Sequence, residues 1–68
     1  MKLWEYVVLV VIDGQVYTQN DEQISASWKS LGLAGYLNQL GAEGWELVDR
    51  RQKDDVEWFY FKRPKPSK

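Results

Sequence analysis

Three carboxylates crowd one stretch of this chain, Asp54, Asp55 and Glu57, and two more, Glu43 and Glu46, flank a Gly44-Trp45 corner. The first group has the oxygen ligands a hard cation takes, without the spacing of a calcium loop. The second has the residue types of an acid and base pair. Neither has the usual company, because the chain contains no histidine and no cysteine. That removes the common base at neutral pH, the thiolate nucleophile and the ordinary ligands of zinc or iron. Gly32, Gly35, Gly41 and Gly44 lack the spacing and the lysine of a phosphate-binding loop. Asp54, Asp55 and Glu57 therefore read as a solvated turn, and Glu46 as the ion-pair partner of Lys62. The expectation is a protein with no catalytic residues, no metal and no cofactor.

A different chemistry is offered by Trp58 and Tyr60 beside Arg50, Lys62 and Arg63: aromatic faces next to cations can stack bases or hold a small ligand. The diagnostic RNP pattern of RNA-binding sheets is absent. Charge also speaks against nucleic acid. Residues 1–61 hold five basic and ten acidic side chains, a net of −5, while residues 62–68 hold four basic and no acidic ones. A body of that sign repels phosphate backbones.

These residues must be positioned by a chain of 68 residues, a size at which only roughly 60% of the unfolded surface is buried. Neither disulfides nor zinc can reinforce it, which leaves oligomerisation as the ordinary route. Four Trp, four Tyr and two Phe exclude disorder, since so many rings need burial. The apolar run from Val7 to Ile12 is far shorter than the ~20 residues of a membrane span, and nothing resembles a signal peptide. A soluble, cytoplasmic protein is expected, and the lack of cysteine suits a reducing compartment.

Residues 3–12 alternate and are rich in β-branched side chains, and Asp13-Gly14 separates them from Gln15 to Thr18, the signature of a type I′ hairpin. Ile12 should face Gln15, Val11 face Val16 and Val10 face Tyr17. Asn20 to Lys29 reads as a loop leading to Ser30 as a helix cap. Leu33, Leu37 and Leu40 recur at helical spacing from Leu31 to about Leu40, with Gly41 at the left-handed end. Trp45 to Arg51 and Val56 to Lys62 form a second hairpin around Lys53-Asp54-Asp55. A three-residue loop sets Arg51 opposite Glu57, Leu47 opposite Phe61 and Glu46 opposite Lys62; a two-residue loop would pair Leu47 with Lys62 instead. The predicted fold is α+β: a four-stranded mixed or antiparallel sheet, ββαββ, strand order 2-1-4-3, with one helix on one face. Residues 1–62 form the single domain, and residues 63–68 a basic, proline-containing flexible tail.

Which face of the sheet meets the helix decides what remains outside. Burying Glu5 looks costly, so Trp4, Tyr6, Val8 and Val10 are assigned to the helix side with Trp45, Leu47, Phe59 and Phe61. The outer face then carries Val7, Leu9, Val11, Val16, Val48, Trp58 and Tyr60. Apolar residues on both faces of a strand are normal only where both are covered, and one helix about 10 Å wide cannot cover two faces. The outer face is therefore the predicted interface of a homodimer or higher assembly, with another protein as a further partner. An aromatic and basic ligand or nucleic-acid site at Arg50, Trp58, Tyr60, Lys62 and Arg63 is the alternative.

The stretch "LNQLGAEGWELV" at residues 37–48, with "WEY" at 4–6 and "FYFKRP" at 59–64, resembles a group of short bacterial and phage proteins classed as a domain of unknown function. The resemblance implies a small α+β fold in bacteria or their viruses. It transfers no catalytic residue, and a phage-encoded antagonist of a host protein is one role such a distribution suggests.

Overall fold

A computed structural model describes residues 3–65. The first strand, β1 (Trp4–Ile12), turns through Asp13 and Gly14, at φ +54° and +79°, into β2 (Gln15–Gln19). Both central positions are left-handed, as a type I′ turn demands. Ile12 faces Gln15 and Val11 faces Val16, as expected, but a bulge then sets Val10 opposite Thr18. Tyr17 is the extra residue, and its side chain is exposed.

The segment expected to be a loop holds two short elements. Asn20 and Asp21 take φ +52° and +67° and fold the chain tightly into β3 (Glu22–Gln23), which pairs with Thr18 and Gln19. Asn and Asp are the non-glycine residues that tolerate this conformation best. Asn20 also imitates a strand pairing: its backbone N–H donates to the Val8 carbonyl and its Oδ1 accepts from the Val8 N–H, each at 2.9 Å. Next comes α1 (Ala26–Lys29), whose N-cap Ser25 accepts from the Trp28 N–H and whose C-cap is Ser30. Ser30 thus ends one helix and does not cap the next.

The main helix, α2, runs Gly32–Ala42. Gly32, at φ +74°, is the joint between the two helices, which explains a glycine where helical propensity alone would argue against one. At the other end the left-handed residue is Gly44, at φ +91°, and not Gly41. The Gly44 N–H donates to the Gly41 carbonyl and the Trp45 N–H to the Leu40 carbonyl, both at 3.0 Å. This is a Schellman closure, and the apolar residue it places just past the helix, Trp45, packs against the core.

The second hairpin joins β4 (Glu46–Lys53) to β5 (Val56–Pro64). Both registers weighed from the sequence occur in it. Glu46 faces Lys62 and Leu47 faces Phe61; after a bulge at Val48 the pairing shifts by one, so Asp49 faces Tyr60, Arg51 faces Trp58 and Lys53 faces Val56. The loop is the two residues Asp54-Asp55, and Arg51 does not face Glu57. The sheet runs β3-β2-β1-β5-β4 and every neighbouring pair is antiparallel. The fifth strand at the edge corrects the predicted four-stranded order 2-1-4-3, and of the predicted mixed or antiparallel sheet the antiparallel form is the one found. β5 also runs to Pro64, and the Lys65 N–H donates to the Leu3 carbonyl at 2.9 Å. Arg63 and Pro64 of the expected tail therefore belong to the sheet and Lys65 is tied to its margin, while residues 66–68 lie outside the described residues.

The core comprises Val7, Leu9, Val11, Val16, Phe59 and Phe61 from the sheet with Tyr36 and Leu40 from α2. Val7, Leu9, Val11 and Val16 thus lie beneath the helix, not on the outer face where the sequence reading put them. The reason is Glu5. It shares their face, yet its carboxylate receives the Arg63 guanidinium at 2.5 Å, directly across from it on β5. A paired carboxylate at a half-open margin carries no prohibitive burial cost. The described residues form a slab, one sheet with helices on one side, with extents of 39 × 26 × 19 Å.

Candidate functional site

Because residues directly opposite in a ladder share a face, the registers define what the helix-free side presents. β1 contributes Trp4, Tyr6, Val8, Val10 and Ile12, and β5 contributes Val56, Trp58, Tyr60, Lys62 and Pro64 opposite them. On one flank β2 adds Gln15 and Thr18. On the other, β4 adds Glu46, Asp49, Arg51 and Lys53. The result is an apolar band two strands wide, polar along β2 and charged along β4. Tyr6 is 62% exposed and Ile12 37%. Lys62 lies over the Trp4 ring, its Nζ 4.3 Å from the centroid, which keeps the ammonium on this surface while its stem covers apolar area.

Trp58 and Tyr60 occupy the outer face as the sequence reading proposed. The β1 residues on it are the set assigned to the helix side, Trp4, Tyr6, Val8 and Val10, and Val48 sits exposed at the β4 bulge. The sequence signal for this assignment is the opposite charge of Glu5 and Arg63, which face each other when β1 is aligned on β5.

The alternative ligand site does not assemble. Trp58, Tyr60 and Lys62 share the open face, but Arg50 and Arg63 lie on the helix side. Arg50 ion-pairs with Glu57, donates to Gln52 and reaches over the Phe59 ring. Arg63 binds Glu5 and the Glu43 carbonyl and lies over Trp45, its guanidinium carbon 4.3 Å from the ring centroid. The carboxylates also disperse: Glu57 goes to Arg50, Glu46 faces Lys62, and Glu43 ends α2. Among the described residues no group of three or more acidic, His or Cys side chains is placed to hold a metal ion.

A groove of about 330 Å³ lies at the other edge, lined by Gln19, Glu22, Gln23, Ser25, Trp28 and Tyr36 among others. Its best-defined feature is a structural contact: the Tyr36 hydroxyl donates to Gln19 Oε1, and the Trp28 and Tyr36 rings meet at 4.9 Å. Burial pushes the Tyr36 hydroxyl above its ordinary value of 10.0, and the nearby Glu43 carboxylate adds to it. The folded state therefore holds this proton more tightly than the unfolded chain does. The associated stabilisation is complete below about pH 10 and is lost as pH rises through the folded value. Urea unfolding between about pH 8 and about pH 11.5 should show wild type losing stability more steeply than Tyr36→Phe. Equal alkaline slopes would remove Tyr36 as the source.

No family model, curated protein or solved structure matches the chain. No helix among the described residues is long and apolar enough to cross a membrane.

Proposed function

We propose that this chain is a non-enzymatic interaction module that assembles with a second copy of itself through the open face of its sheet. The observation that carries the reading is the anatomy of that face: an apolar centre on β1 and β5, including Trp58 and Tyr60, inside a polar and charged rim on β2 and β4. That is the layout of a protein–protein interface, and aromatic residues are the usual energetic anchors.

One further feature favours it. The sheet edges are poor docking strips. β3 has two residues and β4 is bulged and charged, both established ways of discouraging edge-to-edge pairing. If ~500 Å² of apolar surface per copy leaves water, the gross gain is on the order of 12 kcal/mol per copy, enough to exceed moderate association costs.

Base stacking on Trp58 and Tyr60 is the second reading, supported by Arg51, Lys53 and Lys62 on the same face. It is disfavoured by the −5 charge of residues 1–61 and by the seat of Lys62 over the Trp4 ring. The "WEY", "EGWEL" and "FKRP" residues serve the fold, through the Glu5–Arg63–Trp45 cluster and the helix closure, so a family sharing them would share an architecture more than a chemistry. A cysteine-free module of this kind suits the cytoplasm.

Sedimentation equilibrium over a wide concentration range tests the reading. Wild type should approach twice 8.0 kDa. Trp58→Glu should weaken association on the order of 10³-fold, since a hot-spot loss of about 2 kcal/mol counts once per copy. A wild type that stays at the monomer mass throughout overturns the proposal.

A further inference from the structure

The rim carries information about how the two copies lie. Along β4 the open-face charges run Glu46, Asp49, Arg51, Lys53: two negative at one end, two positive at the other. The bulge at Val48 creates this order. In an unbroken strand the face that shows Glu46 would show Val48, Arg50 and Gln52; the extra residue moves Asp49, Arg51 and Lys53 onto it instead.

Two sheets stacked face to face around a two-fold axis have two simple arrangements. With the axis along the strands, β4 of one copy lies over β2 of the other, whose open-face residues Gln15 and Thr18 are uncharged. With the axis across the strands, β4 lies over the partner's β4 running the opposite way. The charge order is then self-complementary. Resting on the homodimer reading above, we infer that the copies stack about an axis across the strands, passing between the Tyr60 row and the Trp58 row. Asp49 meets Arg51 of the partner subunit, Glu46 meets Lys53 of the partner subunit, and Tyr60 meets Trp58 of the partner subunit. Each contact occurs twice. Aligned sheets rotate by about 30°, which keeps the pairs nearest the axis closest and leaves the outer pair to long side chains. Neutral flanks would be indifferent to direction; a strand that is negative at one end and positive at the other is not.

Two variants separate this arrangement from the alternatives. Glu46→Lys with Asp49→Lys makes the open face of β4 wholly positive, and Arg51→Glu with Lys53→Glu makes it wholly negative. All four positions are exposed, so the fold tolerates the changes. Sedimentation equilibrium at low ionic strength, where rim charges are least screened, is run on each variant alone and on an equimolar mixture. Each variant alone should associate at least about ten-fold more weakly than wild type, and the mixture should recover nearly wild-type affinity. The mixture is the decisive arm, because mixing leaves contacts within each chain unchanged. Variants that self-associate like wild type, with no gain on mixing, overturn the crossed axis while the homodimer stands. A monomeric wild type overturns the homodimer itself. Recovery on mixing that survives Trp58→Glu in both chains would place the contact at the β4 edge and so overturn the face-to-face arrangement.

Discussion

Replacing Leu9 by alanine is expected to lower the unfolding free energy by about 3 kcal/mol or more, the range measured when a fully enclosed leucine leaves a cavity. Leu9 is 0% exposed, at the middle of the central strand, facing Phe59 across the ladder. A domain of this length has a total stability of roughly 3–10 kcal/mol, so the variant loses a third of it or all of it. Tyr6→Ala, on the same strand and pointing the other way, should change the stability of the dilute monomer by less than about 1 kcal/mol. Urea midpoints of the two variants make the comparison. A large effect at Tyr6 with a small one at Leu9 would reverse the two faces of the sheet and dissolve the proposed interface.

Arg63→Ala should be the most damaging change to any charged residue, because one guanidinium joins three parts of the fold. Its Nε donates to Glu5 on β1 at 2.5 Å, its Nη1 donates to the Glu43 carbonyl at the end of α2 at 2.6 Å, and its plane covers Trp45 at the start of β4. Removing it strands a carboxylate and a helix-terminal carbonyl and uncovers a tryptophan. The expected loss is about 2 kcal/mol, a fall in Tm of roughly 8–16 °C for a domain of this size. Arg63→Lys should recover little, since a single ammonium cannot serve both acceptors and the ring together. A Tm within about 2 °C of wild type for Arg63→Ala would show that the helix end and the sheet are joined by apolar packing alone.

Features set by neighbours in the chain are legible in the sequence, and those set by the assembled sheet are less so. The Asp13-Gly14 turn, the two flanking strands, the main helix and the second hairpin all follow from features that act within a few residues. The bulges at Tyr17 and Val48 do not, because they reconcile two locally acceptable registers with one set of faces, and only the assembled sheet decides where the slip occurs. Gly41 and Gly44 both stand where a helix can end; Gly44 wins because it places Trp45 back onto the core, which Gly41 would not. The β3 turn carries only a weak local signal, because it uses Asn20 and Asp21 in the left-handed conformation where glycine is the usual marker. The open face was foreseen from the impossibility of covering two apolar faces with one helix. Its membership on β1 is not legible locally, because Glu5 reads as a residue too costly to bury unless its partner, 58 positions away, is known.

The pairing that closes the sheet, β1 against β5, joins residues as far apart as Trp4 and Pro64. Both hairpins and the helix can form from neighbours in the chain, but none of them encloses Leu9 or Phe59 alone. The step expected to limit folding is thus the meeting of the two hairpins across nearly the full length of the chain, because closing so long a loop is entropically slow. Until it succeeds, each hairpin carries an uncovered apolar side. The interval before docking, more than the native state, is when crowding by other copies is most consequential, and the charges of β4 are already in place to discourage indiscriminate strand addition.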